Sequence, residues 1–292
     1  MIKKSFFAIL AVLTFVSTAS GNVVATLPWI GSIVREIGRD KVVVTVLVKP
    51  NQDPHFAEAK PSMIVAASKA DIIMYNGLDL EVGYLPLIVA SSRNQRIQPG
   101  QKGNLDCSRY VNAIERPNAD IDRGMGDVHS MGNPHYHLSP ENILRVAEGI
   151  TDVLSDSDAP NAQFYKANLK TFKERLMEKQ KQWGASLKGK RFIAFHKYFE
   201  YLAHEFGFQI EAYVESKPGI TPSSGHIGRL IESIARTKPD GILTTAFYGK
   251  KEVEFLSLKT GVKAIVVPHE VGCLDGINDW FTLMDRIVES LR

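Results

Sequence analysis

Short apolar runs rich in β-branched residues alternate with amphipathic stretches along almost the whole chain, and that alternation restricts the fold more than any other feature. The run 42–48 (VVVTVLV) reads as a strand preceded by a helical stretch over 29–37, while 61–70 reads as a short helix and 72–75 as a buried strand. Ser139-Pro140-Glu141-Asn142 has the composition of a helix start, with Pro in the first turn, and the helical pattern continues over 143–154. Further strands are expected at 192–195, 210–214, 241–245 and 264–267, with helical patterns between them that include 198–206 and 227–235. Strand and helix in repeated alternation specify crossover units and parallel sheets.

One segment breaks the rhythm. Over 160–187, Tyr165, Leu169, Phe172, Leu176, Trp183 and Leu187 recur at steps of three, four or seven, so they share one stripe of a single helix. Such a helix is about 40 Å long at ~1.5 Å per residue. Lys188-Gly189 then supplies a stop. With α/β sequence on both sides, the economical reading is a stiff connector; an ordinary crossover helix inside one larger domain is the alternative. The expected class is therefore α/β, with two lobes, each a mainly parallel sheet flanked by helices, joined by one long rigid helix. The expected boundaries are an N-terminal lobe over 21–158, a connecting helix over 159–188 and a C-terminal lobe over 189–292. The stretch 99–131, rich in Gly, Asn, Asp and Arg, reads as an irregular loop.

Residues 1–20 carry Lys3 and Lys4, then an apolar run over 6–16 interrupted by Thr14, then Ser17, Thr18, Ala19 and Ser20. A positive start, a short apolar run and a small-residue exit read as a secretory signal peptide, whereas a membrane anchor needs roughly 20 apolar residues. With no cysteine at that boundary, a soluble periplasmic monomer is expected. The formal net charge is +3, lower by two once Lys3 and Lys4 are removed, and this leaves no field suited to nucleic acid. Cys107 and Cys273 are the two cysteines. In an oxidising compartment they either pair, which would restrict movement between distant parts of the chain, or pack as buried thiols.

Four histidines share one structural address. His55 lies in the loop after strand 42–48, His196 follows strand 192–195 directly, and His269 follows strand 264–267 after Pro268. His135 sits just before the helix that starts near Ser139. Ligands of open parallel sheets bind beyond the carboxyl ends of the strands, so these positions converge on one crevice. Four imidazoles can complete a tetrahedral shell around Zn²⁺. Taken singly, each of these histidines reads more readily as a surface or capping residue than as a ligand; the repeated position in both halves is what favours a metal site. His137 is a candidate supporting or wall residue, and His204, eight residues beyond His196, does not match the HExxH spacing of zinc proteases. His226 sits at a helix head, where a polar residue is ordinary. His129, in Asp127-Val128-His129-Ser130, reads as solvated, with a capture role as the alternative.

At these residues the sequence resembles the zinc- and manganese-binding solute-binding proteins of bacterial ABC transporters, the TroA-like family. Asp53-Pro54-His55-Phe56-Ala57-Glu58-Ala59-Lys60-Pro61 looks like the family's DPHxxEPxP motif around its first ligand. Gly132-Asn133-Pro134-His135 with Leu138-Ser139-Pro140 is similar to the second, and Phe195-His196 with Tyr198 and Phe199 to the third. The segment 213–223 resembles the inter-lobe loop, and Ala70-Asp71-Ile72 with Tyr75-Asn76-Gly77-Leu78 fits a signature of the first lobe. The resemblance spans nearly the whole chain beyond residue 20. It implies two lobes on a long helix, a metal ion in the cleft, delivery to an ABC-transporter membrane permease, and His55, His135 and His196 as ligands. The family's fourth position is usually Asp; here His269 falls at it, with Glu270 and His129 as the alternatives. Zinc members often carry a long His- and acid-rich loop, where this chain has only Asp120, Asp122, Asp127 and His129.

An imidazole set favours Zn²⁺ as the transported ion over Mn²⁺, which prefers oxygen donors, and manganese members tend to carry Glu at the position of His196. Rival readings are a zinc hydrolase with Glu270 or Glu58 as base, a metal-chelate or siderophore binder, and a metal-stiffened adhesin. A closed four-donor shell lacks the open position that hydrolysis needs, so no enzyme is expected.

Overall fold

The computed structural model describes residues 21–117 and 129–292. The expected signal peptide and Asp120, Asp122 and Asp127 lie outside the described residues. The first half runs β1 (Gly21–Ala25), α1 (Pro28–Gly38), β2 (Val42–Val46), α2 (Pro61–Ser68), β3 (Ile72–Tyr75), α3 (Leu85–Ser92), β4 (Asn104–Asp106) and α4 (Pro140–Ser157). The long helix α5 (Ala162–Gly184) follows. The second half is β5 (Arg191–Ala194), α6 (Glu200–Phe206), β6 (Gln209–Tyr213), α7 (Ser224–Thr237), β7 (Gly241–Thr245), α8 (Lys250–Thr260), β8 (Ala264–Val267) and α9 (Trp280–Leu291).

Among the described residues the strands form two four-stranded sheets, ordered β2-β1-β3-β4 and β6-β5-β7-β8, and every pairing is parallel. In each sheet the first strand lies inside, with the chain stepping to one side and then to the other. That reversal opens a crevice at the carboxyl ends of the inner strands. Two strands escape the sequence pattern. β1 is short, with Asn22 exposed and only Val23, Val24 and Ala25 buried, so it shows no two-residue alternation. β4 has three residues at a sheet edge, inside the stretch expected to be loop.

α5 buries Tyr165, Phe172, Leu176 and Trp183, and the expected stripe continues past its end to the buried Leu187. It grips both halves. Asn168 Nδ2 donates to the Ile37 carbonyl of α1 at 2.8 Å, and Lys173 pairs with Glu148 of α4 at 2.6 Å. On the other side Arg175 pairs with Asp279 at 3.2 Å, Lys179 with Asp285 at 2.7 Å, and the Trp183 indole donates to Asp285 at 2.8 Å. α9 adds a second tie, because the Trp280 backbone N–H donates to Ser32 Oγ and its indole to the His137 carbonyl. One apolar core accordingly runs from Val23 to Leu291 through both halves, and a smaller one lies between the second sheet and α7 and α8. Cys107 and Cys273 are free and buried, which decides against the bridge. Among the described residues no helix is long and apolar enough to cross a membrane.

Candidate metal centre

The peptide immediately around each histidine fixes its ring. Asp53 caps the single helical turn Pro54–Phe56, its Oδ1 accepting from the His55 backbone N–H at 2.9 Å and from the His55 ring Nδ1 at 2.8 Å. Asn133 repeats the device, with Oδ1 accepting from His135 N and Nδ1, both at 2.9 Å. His196, two residues beyond β5, donates Nδ1–H to Glu215 Oε2 at 2.7 Å, and Glu215 lies two residues beyond β6. A carboxylate can only accept, and the Asn133 carbonyl already accepts a backbone N–H. All three Nδ1 atoms therefore carry the hydrogen, and all three Nε2 lone pairs are free to coordinate.

These rings converge. One ligand nitrogen from each of His55, His135 and His196 lies within 4.8 Å of the others, and the ring centroids stand 5.4–6.1 Å apart. His135 Nε2 is buried without a hydrogen-bond partner, an arrangement that costs free energy unless something else occupies the lone pair. Burial, and then the imidazoles of His196 and His55, hold the His135 pKa well below its ordinary value, so the ring is neutral at physiological pH. Burial alone would raise the Asp53 carboxyl, but the hydrogen bonds it accepts from the His55 ring and backbone outweigh this and leave it low.

Among the described residues the group has three members, and the candidates for a fourth lie around it. His269 does not join the group: its Nε2 donates to the Pro50 carbonyl at 2.9 Å, its Nδ1 is buried without a partner, and Phe247 packs edge-on to it at 4.1 Å. Glu270 is also elsewhere, accepting from the backbone of Val271 at 2.8 Å and from that of Trp29 at the start of α1, where it supplies the cap that Leu27 cannot. His129, read as solvated, is instead half-buried with its Nε2 3.2 Å from that of His55, although it too stands outside the 4.8 Å mutual spacing that joins the other three. Donors in a tetrahedral zinc shell stand about 3.3 Å apart. The ring of His129 also bonds the backbone of Leu78, within a turn where Gly77, Leu78 and Asp79 all have φ of 53–79°. Burial and then the neighbouring His55 push the His129 pKa down to about 4.

The remaining histidines have other partners. His137 Nε2 bonds the Tyr198 hydroxyl at 3.0 Å while its ring stacks on Trp29, and Tyr198 donates onward to the His269 carbonyl at 2.7 Å. His226 Nε2 donates to the Tyr213 carbonyl, and His204 is exposed. Two residues in contact with the group went unread in the sequence, Glu215 and Tyr248. Both lie just beyond a strand's carboxyl end, the same address that singled out the histidines.

The family described as ZnuA, zinc-uptake complex component A periplasmic, matches residues 23–292. Among curated relatives, the manganese ABC transporter substrate-binding lipoprotein PsaA of Streptococcus mitis is 26% identical over 283 residues, 88% of this chain and 85% of that protein. The zinc-binding lipoprotein AdcA of Streptococcus pneumoniae is 24% identical over 249 residues, 84% of this chain and 49% of that protein. A crystal structure of ZnuA superposes with a TM-score of 0.77 at 23% identity, covering 93% of this chain and 98% of that one, and shares its fold. The match over nearly all described residues makes the chain a member of the ZnuA family.

Proposed function

We propose that this protein is a periplasmic solute-binding protein that captures Zn²⁺ between its two halves and delivers it to an ABC-transporter permease. The observation that carries this reading is the convergence of three imidazoles whose other ring nitrogens are all committed to acceptors. His55 and His135 come from the sequence before α5 and His196 from the sequence after it, so an ion held by all three joins the halves. His129 is the fourth ligand in this reading, on the strength of its 3.2 Å approach to His55.

Zinc is preferred to manganese because the donors are nitrogen and, among the described residues, no carboxylate belongs to the group. Transport is preferred to hydrolysis on the same geometry. Glu270 is engaged at the start of α1 and Glu58 is exposed, so neither stands as a base beside the ion. In this reading the protein acts as an exported monomer. The test is to strip the full chain with chelator and titrate Zn²⁺, Mn²⁺ and Cu²⁺ by competition. Wild type should bind Zn²⁺ far more tightly than Mn²⁺, His196→Ala should lose that affinity, and His204→Ala should keep it. Equal losses in the two variants would refute the site.

A further inference from the structure

The loop after β7 touches the histidine group from both sides. Tyr248 stacks its ring on His196 at 4.6 Å and 22°, and runs nearly parallel to Phe195 at 6.3 Å and 17°. Its hydroxyl reaches 3.3 Å from Nδ1 of His55, a residue 193 positions away in the other half. The His55 Nδ1–H already points at Asp53, so the phenol oxygen backs that N–H and lies beside the same carboxylate.

The loop is built to hold this pose. Thr244 Oγ1 donates to the Tyr248 carbonyl at 2.5 Å. Gly249 has φ of +35°, and a Cβ there would fall 1.6 Å from a ring carbon of Phe195. Only glycine lets the backbone close against Phe195, and that closure seats the Tyr248 ring on His196.

We propose that Tyr248 is a latch: a positioning residue that ties His196 of one half to the Asp53–His55 pair of the other and sets how fast a bound ion leaves. Other ties between the halves lie around His135, in the core and in the loop before His55: Tyr201 Oη donates to the Asn133 carbonyl at 2.7 Å, Asn133 Nδ2 to the Lys197 carbonyl at 3.1 Å, and His269 Nε2 to the Pro50 carbonyl at 2.9 Å. Tyr248 bridges the two ligands that those ties leave unconnected. His55 is also the least buried of the three, so its bond to the ion is the one most open to exchange. Without the phenol oxygen, the His55 ring keeps its bond to Asp53 and its approach to His129, both from its own half.

The inference rests on the zinc-capture reading, and the experiment separates the two. The full chain is stripped, reloaded with Zn²⁺ and mixed with excess chromogenic chelator in a stopped-flow instrument. Tyr248→Phe should raise the dissociation rate about tenfold, the scale of a lost supporting contact to a ligand, with the metal-free melting temperature unchanged. Gly249→Ala should raise the rate although the phenol is intact. Release from Tyr248→Phe at the wild-type rate would overturn the latch, as would a faster release accompanied by a matching fall in metal-free stability. In either case, zinc binding lost in His196→Ala would show that the site itself stands. Zinc binding retained in His196→Ala would overturn the site and the latch together.

Discussion

The carboxylate behind His196 gives the sharpest quantitative test of the proposed centre. Glu215 is buried, 9% exposed, and accepts from Nδ1 at 2.7 Å. An ion ~2.0 Å beyond Nε2 would stand roughly 6.5 Å from that carboxylate, where Coulomb's law at an effective dielectric near 20 gives about 5 kcal/mol between charges of −1 and +2. Glu215→Gln removes this attraction but also the cost of holding a buried charge. The net effect should fall to the scale of other residues supporting a ligand, about 10–100-fold in affinity, or roughly 1.4–2.7 kcal/mol. The amide adds a second hazard. If its N–H₂ faced Nδ1, the ring hydrogen would move to Nε2 and block coordination.

The assay is a competitive zinc titration of wild type, Glu215→Gln and Glu232→Gln at pH 7.5; Glu232 is exposed on α7 and serves as control. Glu215→Gln should weaken zinc binding by at least tenfold, while the metal-free protein keeps its melting temperature. Affinity within twofold of wild type would refute the reasoning, because the carboxylate would then be contributing nothing to the charge or orientation of His196.

Two further outcomes are expected. His129→Ala should weaken zinc binding about tenfold with little effect on the metal-free fold, whereas His269→Ala should spare zinc affinity and lower stability through the lost bond to Pro50; the opposite pattern would return the fourth position to His269. Metal-free stability should peak between about pH 4.3 and 6.5, the unfolded values of Glu and His. Burial raises Glu81, Glu200 and Glu205 to about 7 and Glu270 to about 8, so the stability they confer is lost as pH rises through those values. Burial lowers His129 to about 4 and His137 to about 3, so theirs is lost as pH falls toward them. A melting temperature that climbed steadily from pH 5 to 9 would contradict this.

Most of the architecture was legible because strands 72–75, 241–245 and 264–267 are apolar runs with clear helical neighbours, and the observed bounds match them. β1 was not legible, since Gly21 and Asn22 leave only Val23, Val24 and Ala25 as an apolar run, shorter than the runs that mark the other strands. The address of the site was legible for the same topological reason in both halves. What the address does not specify is the direction of a side chain. His269 sits two residues past β8 just as His196 sits two past β5, yet one ring turns to the Pro50 carbonyl and the other to the histidine group. That choice depends on loop dihedrals and on Phe247, contacts with no sequence periodicity. Glu215 and Tyr248 were within reach of the same rule, had it been applied to every polar residue beyond a strand end rather than to histidine alone.

The two halves share one core, and α5 and α9 each bond to both, so opening them as rigid bodies would expose buried tryptophans. Trp280 alone packs against Phe172, Trp183 and Phe281 and donates across the halves to the His137 carbonyl. Truncating a core residue of this kind costs about 3–5 kcal/mol, and a hinge motion would disturb several together. A large swing is therefore an expensive way to free an ion. The less costly route is local: His55 rides on a single helical turn, His129 on a loop, and Tyr248 on another, while His135 and His196 are packed into the body of the protein. On this argument the buried pair forms the floor of the site, and the affinity changes that accompany release arise from the three residues held by loops.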